Sequence, residues 1–97
     1  MEKKLRVPEE IVALIRSAHP ELKRKIKAGL KRIAEDSRRG KSLRDELKGL
    51  MSYPVGRFRI IYRTSGRGCI DIIAIGPRRV IYEETYRIIR KGKPRGS

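Results

Sequence analysis

The spacing of the apolar residues changes near residue 40, and this change limits the folds that the chain can adopt. Before it, apolar side chains recur every three or four residues, as on one face of an α-helix, in two segments: Ile11, Leu14, Ile15 and Ala18, then Leu22, Ile26, Leu30, Ile33 and Ala34. After it, residues 57–63 alternate as in a strand, with Phe58, Ile60 and Tyr62 on one face. Helices followed by strands predict an α+β fold.

Turn residues and periodicity together predict the element order β-α-α-β-β-β-α. A short strand at 5–7 precedes two helices that meet at Pro20, a residue tolerated in the first turn of a helix. Three strands follow, ending near 56, at 57–63 and at 70–75, with a hairpin loop over 64–68 and a last helix over 79–90. We therefore expect a small curved antiparallel sheet with the helical hairpin packed on one face and a C-terminal helix.

Length and composition favour a single domain. The chain has 97 residues, which suffice for one compact core, and we assign residues 1–90 to it. Residues 91–97 have turn composition and are predicted to form a flexible basic tail. The final Pro94-Arg95-Gly96-Ser97 is typical of a protease-site remnant and is left out of the functional argument.

The chain is strongly basic, with 26 Lys and Arg against 11 Asp and Glu and a formal net charge of +15. Such a domain usually binds a polyanion or an acidic protein. Apolar runs of membrane-spanning length and a signal peptide are both missing from the sequence, so we expect no membrane partner. The single cysteine, Cys69, excludes an intrachain disulfide and a cysteine-based zinc site, and it fits the reducing cytoplasm.

Arginines are concentrated where the predicted strands end. Arg57 and Arg59 lie on one face of the third strand, and Arg78 and Arg79 directly follow the last strand. If these two strands form a hairpin, the guanidinium groups converge at one end of the sheet, with Tyr82 on the first turn of the closing helix. Such a cluster can grip a phosphodiester and stabilise charge that develops on it.

Carboxylates are scarce in the same region. Asp71 is the only acid between Glu46 and Glu83, which argues against paired-carboxylate hydrolysis and against a carboxylate-bound magnesium ion. A nuclease built on these arginines should therefore need neither metal nor cofactor. The RNA 2′-hydroxyl would attack the adjacent phosphate, because the protein offers no good nucleophile of its own.

Two segments in this order after a helical hairpin resemble the RelE/ParE superfamily of bacterial and archaeal type II toxins. The first is Leu47–Arg63, whose core reads Val55-Gly56-Arg57-Phe58-Arg59-Ile60-Ile61-Tyr62; the second is Ile73–Tyr82, with Ile75-Gly76-Pro77-Arg78 before its tyrosine. The resemblance extends from about residue 5 to residue 89.

The resemblance to RelE-type members implies a toxin that enters the ribosome and cleaves mRNA. It also implies a cognate antitoxin that keeps the toxin inactive. It implies that Arg59 holds the scissile phosphate, that Arg78 stabilises the transition state, and that Tyr82 orients or stacks on the nucleotide. We add Arg57, Arg79, Lys48 and Arg63 as candidate substrate-binding residues.

Some positions depart from the ribonuclease pattern. Ser52 and Pro54 replace two basic residues that many ribonuclease members carry, and Pro77 replaces a frequent histidine, which leaves Lys48, Arg57 and Arg79 as candidates for proton transfer. The run Ser52–Gly56 instead resembles ParE-type members, which poison DNA gyrase and cleave no RNA. Two alternatives to the ribonuclease therefore stay open: a gyrase inhibitor and a non-catalytic RNA-binding module.

Overall fold

The computed structural model describes residues 3–65 and 68–92. Its elements are β1 (Lys4–Arg6), α1 (Glu9–Ser17), α2 (Pro20–Glu35), β2 (Lys41–Ser42), a 3₁₀ turn (Asp45–Leu47), β3 (Met51–Val55), β4 (Phe58–Ser65), β5 (Cys69–Pro77) and α3 (Arg78–Gly92). The predicted α+β single domain is confirmed. Residues 66–67 of the predicted hairpin loop and residues 93–97 of the predicted tail lie outside the described residues.

The sheet is mixed rather than wholly antiparallel, in the order β1-β5-β4-β3-β2. The β3–β4 and β4–β5 pairs are antiparallel, as expected. The first strand, however, pairs with β5 in parallel, which places Arg6 beside Asp71. A local sequence pattern predicts a strand but carries no information on the direction in which it meets a strand more than sixty residues away. The two-residue strand β2, which was not predicted, adds an edge next to β3.

Each face of the sheet carries its own apolar cluster, because alternate side chains of β4 point in opposite directions. The helix-pair face, covered by α1 and α2, holds the larger cluster: Ile11, Ile15, Ile26, Leu30, Ile33, Val55, Ile60, Tyr62, Ile70, Ile72 and Ile75. The α3 face, covered by α3 and the segment before β3, holds Leu50, Ile61, Ala74 and Ile81. The third helix thus closes the side of the sheet that the helical hairpin leaves open.

One fully buried tyrosine fixes the chain between α2 and β2. The Tyr62 hydroxyl donates to the carbonyl of Ser37 at 2.8 Å and accepts from the N–H of Gly40 at 2.9 Å. A side chain at position 40 would collide with this arrangement, since a Cβ there would lie 2.5 Å from the hydroxyl oxygen. None of the helices in the described ranges is long and apolar enough to span a bilayer.

Candidate functional site

The turn between β3 and β4 and the end of β5 lie side by side. Val55 pairs with Phe58 across the turn, and Phe58 in turn pairs with Pro77. Gly56 takes a φ of 59°, a conformation that L residues rarely adopt and that glycine reaches without strain. The N–H of Arg78 donates to the carbonyl of Arg57 at 2.8 Å. The backbone therefore joins the two arginine-bearing segments directly.

Arg59 is held over this turn. It pairs with Pro54 on one side and Gly76 on the other, and it shares the α3 face with Ile61. Its Nη1 donates to the carbonyl of Phe58 at 2.9 Å and to that of Gly56 at 3.2 Å. Because these bonds use only one nitrogen, Nε and Nη2 keep their donors for a ligand. The side chain is thus oriented by the backbone and still able to bind an anion.

The arginine cluster, which we define as Arg57, Arg59, Arg78 and Arg79, lacks counter-charges. Among residues 3–65 and 68–92, none of the four forms an ion pair with a carboxylate. Arg57, Arg78 and Arg79 are exposed, and Arg59 is half-buried. Arg57 lies in the turn before β4 and lines a cleft with Leu22 and Phe58, so it does not share the α3 face with Arg59 as the alternation predicted. Unpaired cations on adjoining segments favour the binding of an anion such as a phosphate.

Arg63 lies in a different group of charges. Asp71 accepts from Arg6 Nε at 2.6 Å and lies 3.6 Å from Arg63 Nη2. The hydrogen bond to Asp71, with its negative charge, raises the pKa of Arg6 above its usual value. Since Arg63 follows Arg59 by four residues on one strand, about 13 Å of strand rise separates them. The structure therefore places Arg63 in an ion-pair group that joins β1, β4 and β5, outside the arginine cluster.

Lys48 is also remote from the arginine cluster. It lies exposed in the turn after the 3₁₀ segment, and its N–H donates to the carbonyl of Asp45 at 3.0 Å. The turn precedes β3, whereas the arginine cluster lies beyond the other end of that strand, about 13 Å away along it.

Tyr82 is half-buried on the first turn of α3 and packs against the cluster of the α3 face. Its hydroxyl lies 3.2 Å from the hydroxyl of Ser52, which is itself buried. Gly76 lets the helix come this close, because a Cβ there would lie 2.9 Å from Ile81 Cδ1. The sequence pattern pointed to Ser52 for the basic residue that it replaces and for the ParE-like run that it begins, but not for a contact with Tyr82. Its contact with Tyr82 depends on where α3 crosses the sheet, which no local pattern reveals.

The described residues also define what the site can bind. They contain no group of three or more His, Cys, Asp or Glu side chains arranged to hold a metal ion. The arginine cluster instead offers guanidinium donors that match the oxygens of a phosphate.

Solved structures of RelE toxins share this fold. The toxin–antitoxin complex RelBE2 from Mycobacterium tuberculosis has a TM-score of 0.70 at 21% identity, covering 80% of this chain and 100% of that chain. A free arginine-to-alanine mutant of Escherichia coli RelE has a TM-score of 0.73 at 16% identity, covering 96% and 100%. The archaeal RelE–RelB complex from Pyrococcus horikoshii has a TM-score of 0.65 at 18% identity, covering 80% and 97%.

The sequence itself matches one family. No curated protein matches the chain. Residues 6–82, however, match the family described as the ParE toxin of type II toxin–antitoxin systems. This range includes both segments of the predicted motif and every residue of the arginine cluster. The chain therefore belongs to the ParE toxin family and is a type II toxin of the RelE/ParE superfamily.

Proposed function

We propose that the protein is a ribosome-dependent endoribonuclease that cleaves mRNA and stops translation. The observation that carries this proposal is the arginine cluster: four arginines without carboxylate partners lie on backbone segments that adjoin at one end of the sheet, and two backbone carbonyls orient Arg59. A site of this kind favours a phosphodiester over a neutral or cationic ligand.

In the proposed reaction, the 2′-oxygen of the RNA attacks the adjacent phosphorus. The new bond joins that oxygen to phosphorus, the bond to the 5′-oxygen of the next nucleotide breaks, and the products are a 2′,3′-cyclic phosphate and a 5′-hydroxyl. The 2′-hydroxyl loses its proton and the leaving oxygen gains one. Arg59 holds the scissile phosphate, and Arg78 stabilises the negative charge that builds up on it. The cations themselves thus do the work that a metal ion does in other nucleases.

Proton transfer is the weak part of this mechanism. Ser52 and Pro54 pair with Ile61 and Arg59, so they share the α3 face with the proposed site, yet neither side chain is an effective base. The Tyr82 hydroxyl is hydrogen-bonded with Ser52. Arg57 and Arg79 remain the nearest candidates for assisting the leaving oxygen. We therefore expect slow cleavage that depends chiefly on orientation by the ribosome and on charge stabilisation.

An antitoxin is the proposed protein partner. Two of the structurally similar toxins are described in complex with RelB antitoxins. Because three of the four arginines of the cluster are exposed and none forms an ion pair within the described residues, an antitoxin with acidic side chains would neutralise the cluster and block access to RNA. The proposed place of action is the cytoplasm, where ribosomes and mRNA are found.

The second candidate function is inhibition of DNA gyrase without catalysis. Positions 52 and 54 favour it, because neither Ser52 nor Pro54 supplies a base beside Arg59. A non-catalytic RNA-binding module is a third candidate that would use the arginine cluster only to hold RNA.

One experiment separates these functions. The purified protein is added to a reconstituted translation reaction, and new 5′ ends are mapped on the mRNA. We expect cuts inside the codon at the ribosomal A site, which Arg59→Ala and Arg78→Ala abolish and which the exposed Arg24→Ala on α2 leaves unchanged. Intact mRNA would overturn the ribonuclease proposal, and inhibition of supercoiling by gyrase would then assign the second function.

A further inference from the structure

A groove runs between α2 and the β3–β4 hairpin, on the other side of the hairpin turn from Arg59. It consists of two adjoining clefts of about 210 and 290 Å³, which share Lys25, Val55 and Gly56. We define the hairpin groove by five of the residues that line it, its three cations and two aromatic rings on the hairpin: Lys25, Arg32, Arg57, Tyr53 and Phe58. Glu21 and His19 also line one of the clefts.

Small residues explain why the groove is open. Ala28 and Gly29 face the hairpin from α2, and a Cβ on Gly29 would lie 3.0 Å from Val55 Cγ2 and 3.4 Å from Tyr53 Cε2. Helix and hairpin therefore touch at Gly29, while the longer side chains on either side of it form the walls.

Positive charge dominates these walls. Arg32 and Arg57 form no ion pair within the described ranges 3–65 and 68–92. Lys25 lies 3.9 Å from Glu21, but both side chains are more than half exposed, so that pair contributes little. Lys25 and Arg32 are seven residues apart on one helix, about 10.5 Å, which corresponds to about three phosphates at the rise of a stacked strand.

The hairpin groove is continuous with the arginine cluster. Gly56 lines both clefts, and its carbonyl accepts from Arg59. Arg57 lines one cleft, and its carbonyl accepts from the N–H of Arg78. An RNA strand whose phosphate is held at Arg59 and Arg78 therefore needs only to pass around the hairpin turn to enter the groove.

We propose that the hairpin groove binds the single-stranded RNA that flanks the nucleotide held by the arginine cluster. The proposal rests on the proposed function, since it extends the path of the same substrate. Lys25, Arg32 and Arg57 contact phosphates, and the half-buried rings of Tyr53 and Phe58 offer surfaces for base stacking. The rings beside the cations offer stacking surfaces that match the bases of RNA, whereas acidic side chains would engage the cations alone.

The test compares two double variants of α2 with equal changes in charge. Lys25→Glu/Arg32→Glu alters the groove, and Arg24→Glu/Lys31→Glu alters exposed residues that do not line it. Binding of a fluorescein-labelled, unstructured 12-nucleotide RNA is followed by anisotropy over a range of salt concentrations. We expect the groove variant to bind at least tenfold more weakly, with a salt slope reduced by about 1.4, twice the value for one phosphate of a single strand. The control should lose less than threefold.

Equal weakening by both variants would overturn the proposal, because it would reduce the effect to overall charge. A neutral pair, Lys25→Gln/Arg32→Gln, repeats the comparison if the reversed charges disturb α2, as judged by circular dichroism. Unchanged RNA affinity in the groove variant, together with lost binding of poly-L-glutamate, would also overturn it and assign the groove to an acidic protein.

The outcome is independent of the translation assay. Groove-dependent RNA affinity without mRNA cuts would mean that the proposed enzyme activity fails while the groove binds RNA. Cuts in mRNA together with groove-independent affinity would mean that only the groove proposal fails.

Discussion

The two faces of the sheet differ in how completely they are closed. On the helix-pair face, α1 and α2 cover a continuous apolar cluster in which Ile26, Ile33 and Ile60 are fully buried. On the α3 face, the smaller cluster around Ile61 and Ile81 ends before the arginine cluster is reached. One face thus supplies most of the buried apolar side chains, and the other ends beside the unpaired cations to which we assign the proposed site.

Tyr62 and Tyr82 show the same contrast between the two faces. Tyr62 is fully buried on the helix-pair face, and its hydroxyl both donates and accepts. Tyr82 is half-buried on the α3 face and makes one hydrogen bond, with Ser52. We infer that stability depends mainly on the helix-pair face and that toxic activity depends on the open end of the α3 face.

Alanine substitutions at two adjacent isoleucines of β4 should give the largest difference in stability between the two faces. Ile60 and Ile61 are both fully buried but point to opposite faces. We expect Ile60→Ala to lower the free energy of unfolding by about 3–5 kcal/mol and Ile61→Ala by about 2–3 kcal/mol, because the smaller cluster relaxes more easily around a cavity. Urea denaturation measures both. Equal losses of unfolding free energy, or a larger loss for Ile61→Ala, would contradict the proposed difference between the two faces.

Alanine substitutions at two glycines should give a smaller difference in stability. Gly40→Ala brings a Cβ to 2.5 Å from the Tyr62 hydroxyl and 3.0 Å from the Ser52 carbonyl, whereas Gly76→Ala meets only the end of the Ile81 side chain. We expect losses of about 2–3 kcal/mol at position 40 and about 1 kcal/mol at position 76, measured by thermal unfolding.

A second substitution checks the cause at Gly76. In Gly76→Ala/Ile81→Val, the Cδ1 methyl that lies 2.9 Å from the new Cβ is removed. The double variant should therefore be less destabilised than the sum of the two single variants. Strict additivity would mean that the close approach of α3 does not account for the effect of Gly76→Ala.

Removing the hydroxyl groups of Tyr62 and Tyr82 should give the smallest difference in stability. Tyr62→Phe leaves the Ser37 carbonyl and the Gly40 N–H without their partner and should cost about 1–3 kcal/mol, against about 0.5–1.5 kcal/mol for Tyr82→Phe. Adding Ser52→Ala to Tyr82→Phe should cost little more, because the two hydroxyls bond to each other. A double-mutant cycle of unfolding free energies measures this coupling.

Alkaline pH should act through Tyr62. Burial raises the pKa of Tyr62 above its usual value of 10.0. The unfolded chain therefore loses this proton before the folded chain does, and stability falls as the pH rises above about 10. In Tyr62→Phe, the unfolding midpoint should decline less steeply above pH 10 than in the wild type. Equally steep declines of the unfolding midpoint in both proteins would show that Tyr62 does not contribute to the loss of stability at alkaline pH.

The periodicity of the sequence predicted the structural features that depend on neighbouring residues. It did not predict the features that depend on contacts between residues far apart in the chain. Side chains of residues 58–62 alternate between the two faces of the sheet, so the α+β class and the adjacency of the backbone segments that carry Arg59 and Arg78 were predictable. The parallel direction of β1 was not, because it depends on pairing with β5 across most of the chain. The position of Arg63 beside Asp71 and the contact of Tyr82 with Ser52 depend on register and helix placement in the same way.

The division between the two faces is tested most directly by measuring stability and toxicity on one variant. Arg59→Ala/Arg78→Ala removes the two central cations of the arginine cluster. We expect an unfolding free energy within about 1 kcal/mol of the wild type, since neither guanidinium belongs to an apolar cluster, together with complete loss of growth arrest on expression. A folded double variant that still arrests growth, or one that loses toxicity only because it unfolds, would contradict this division between the faces.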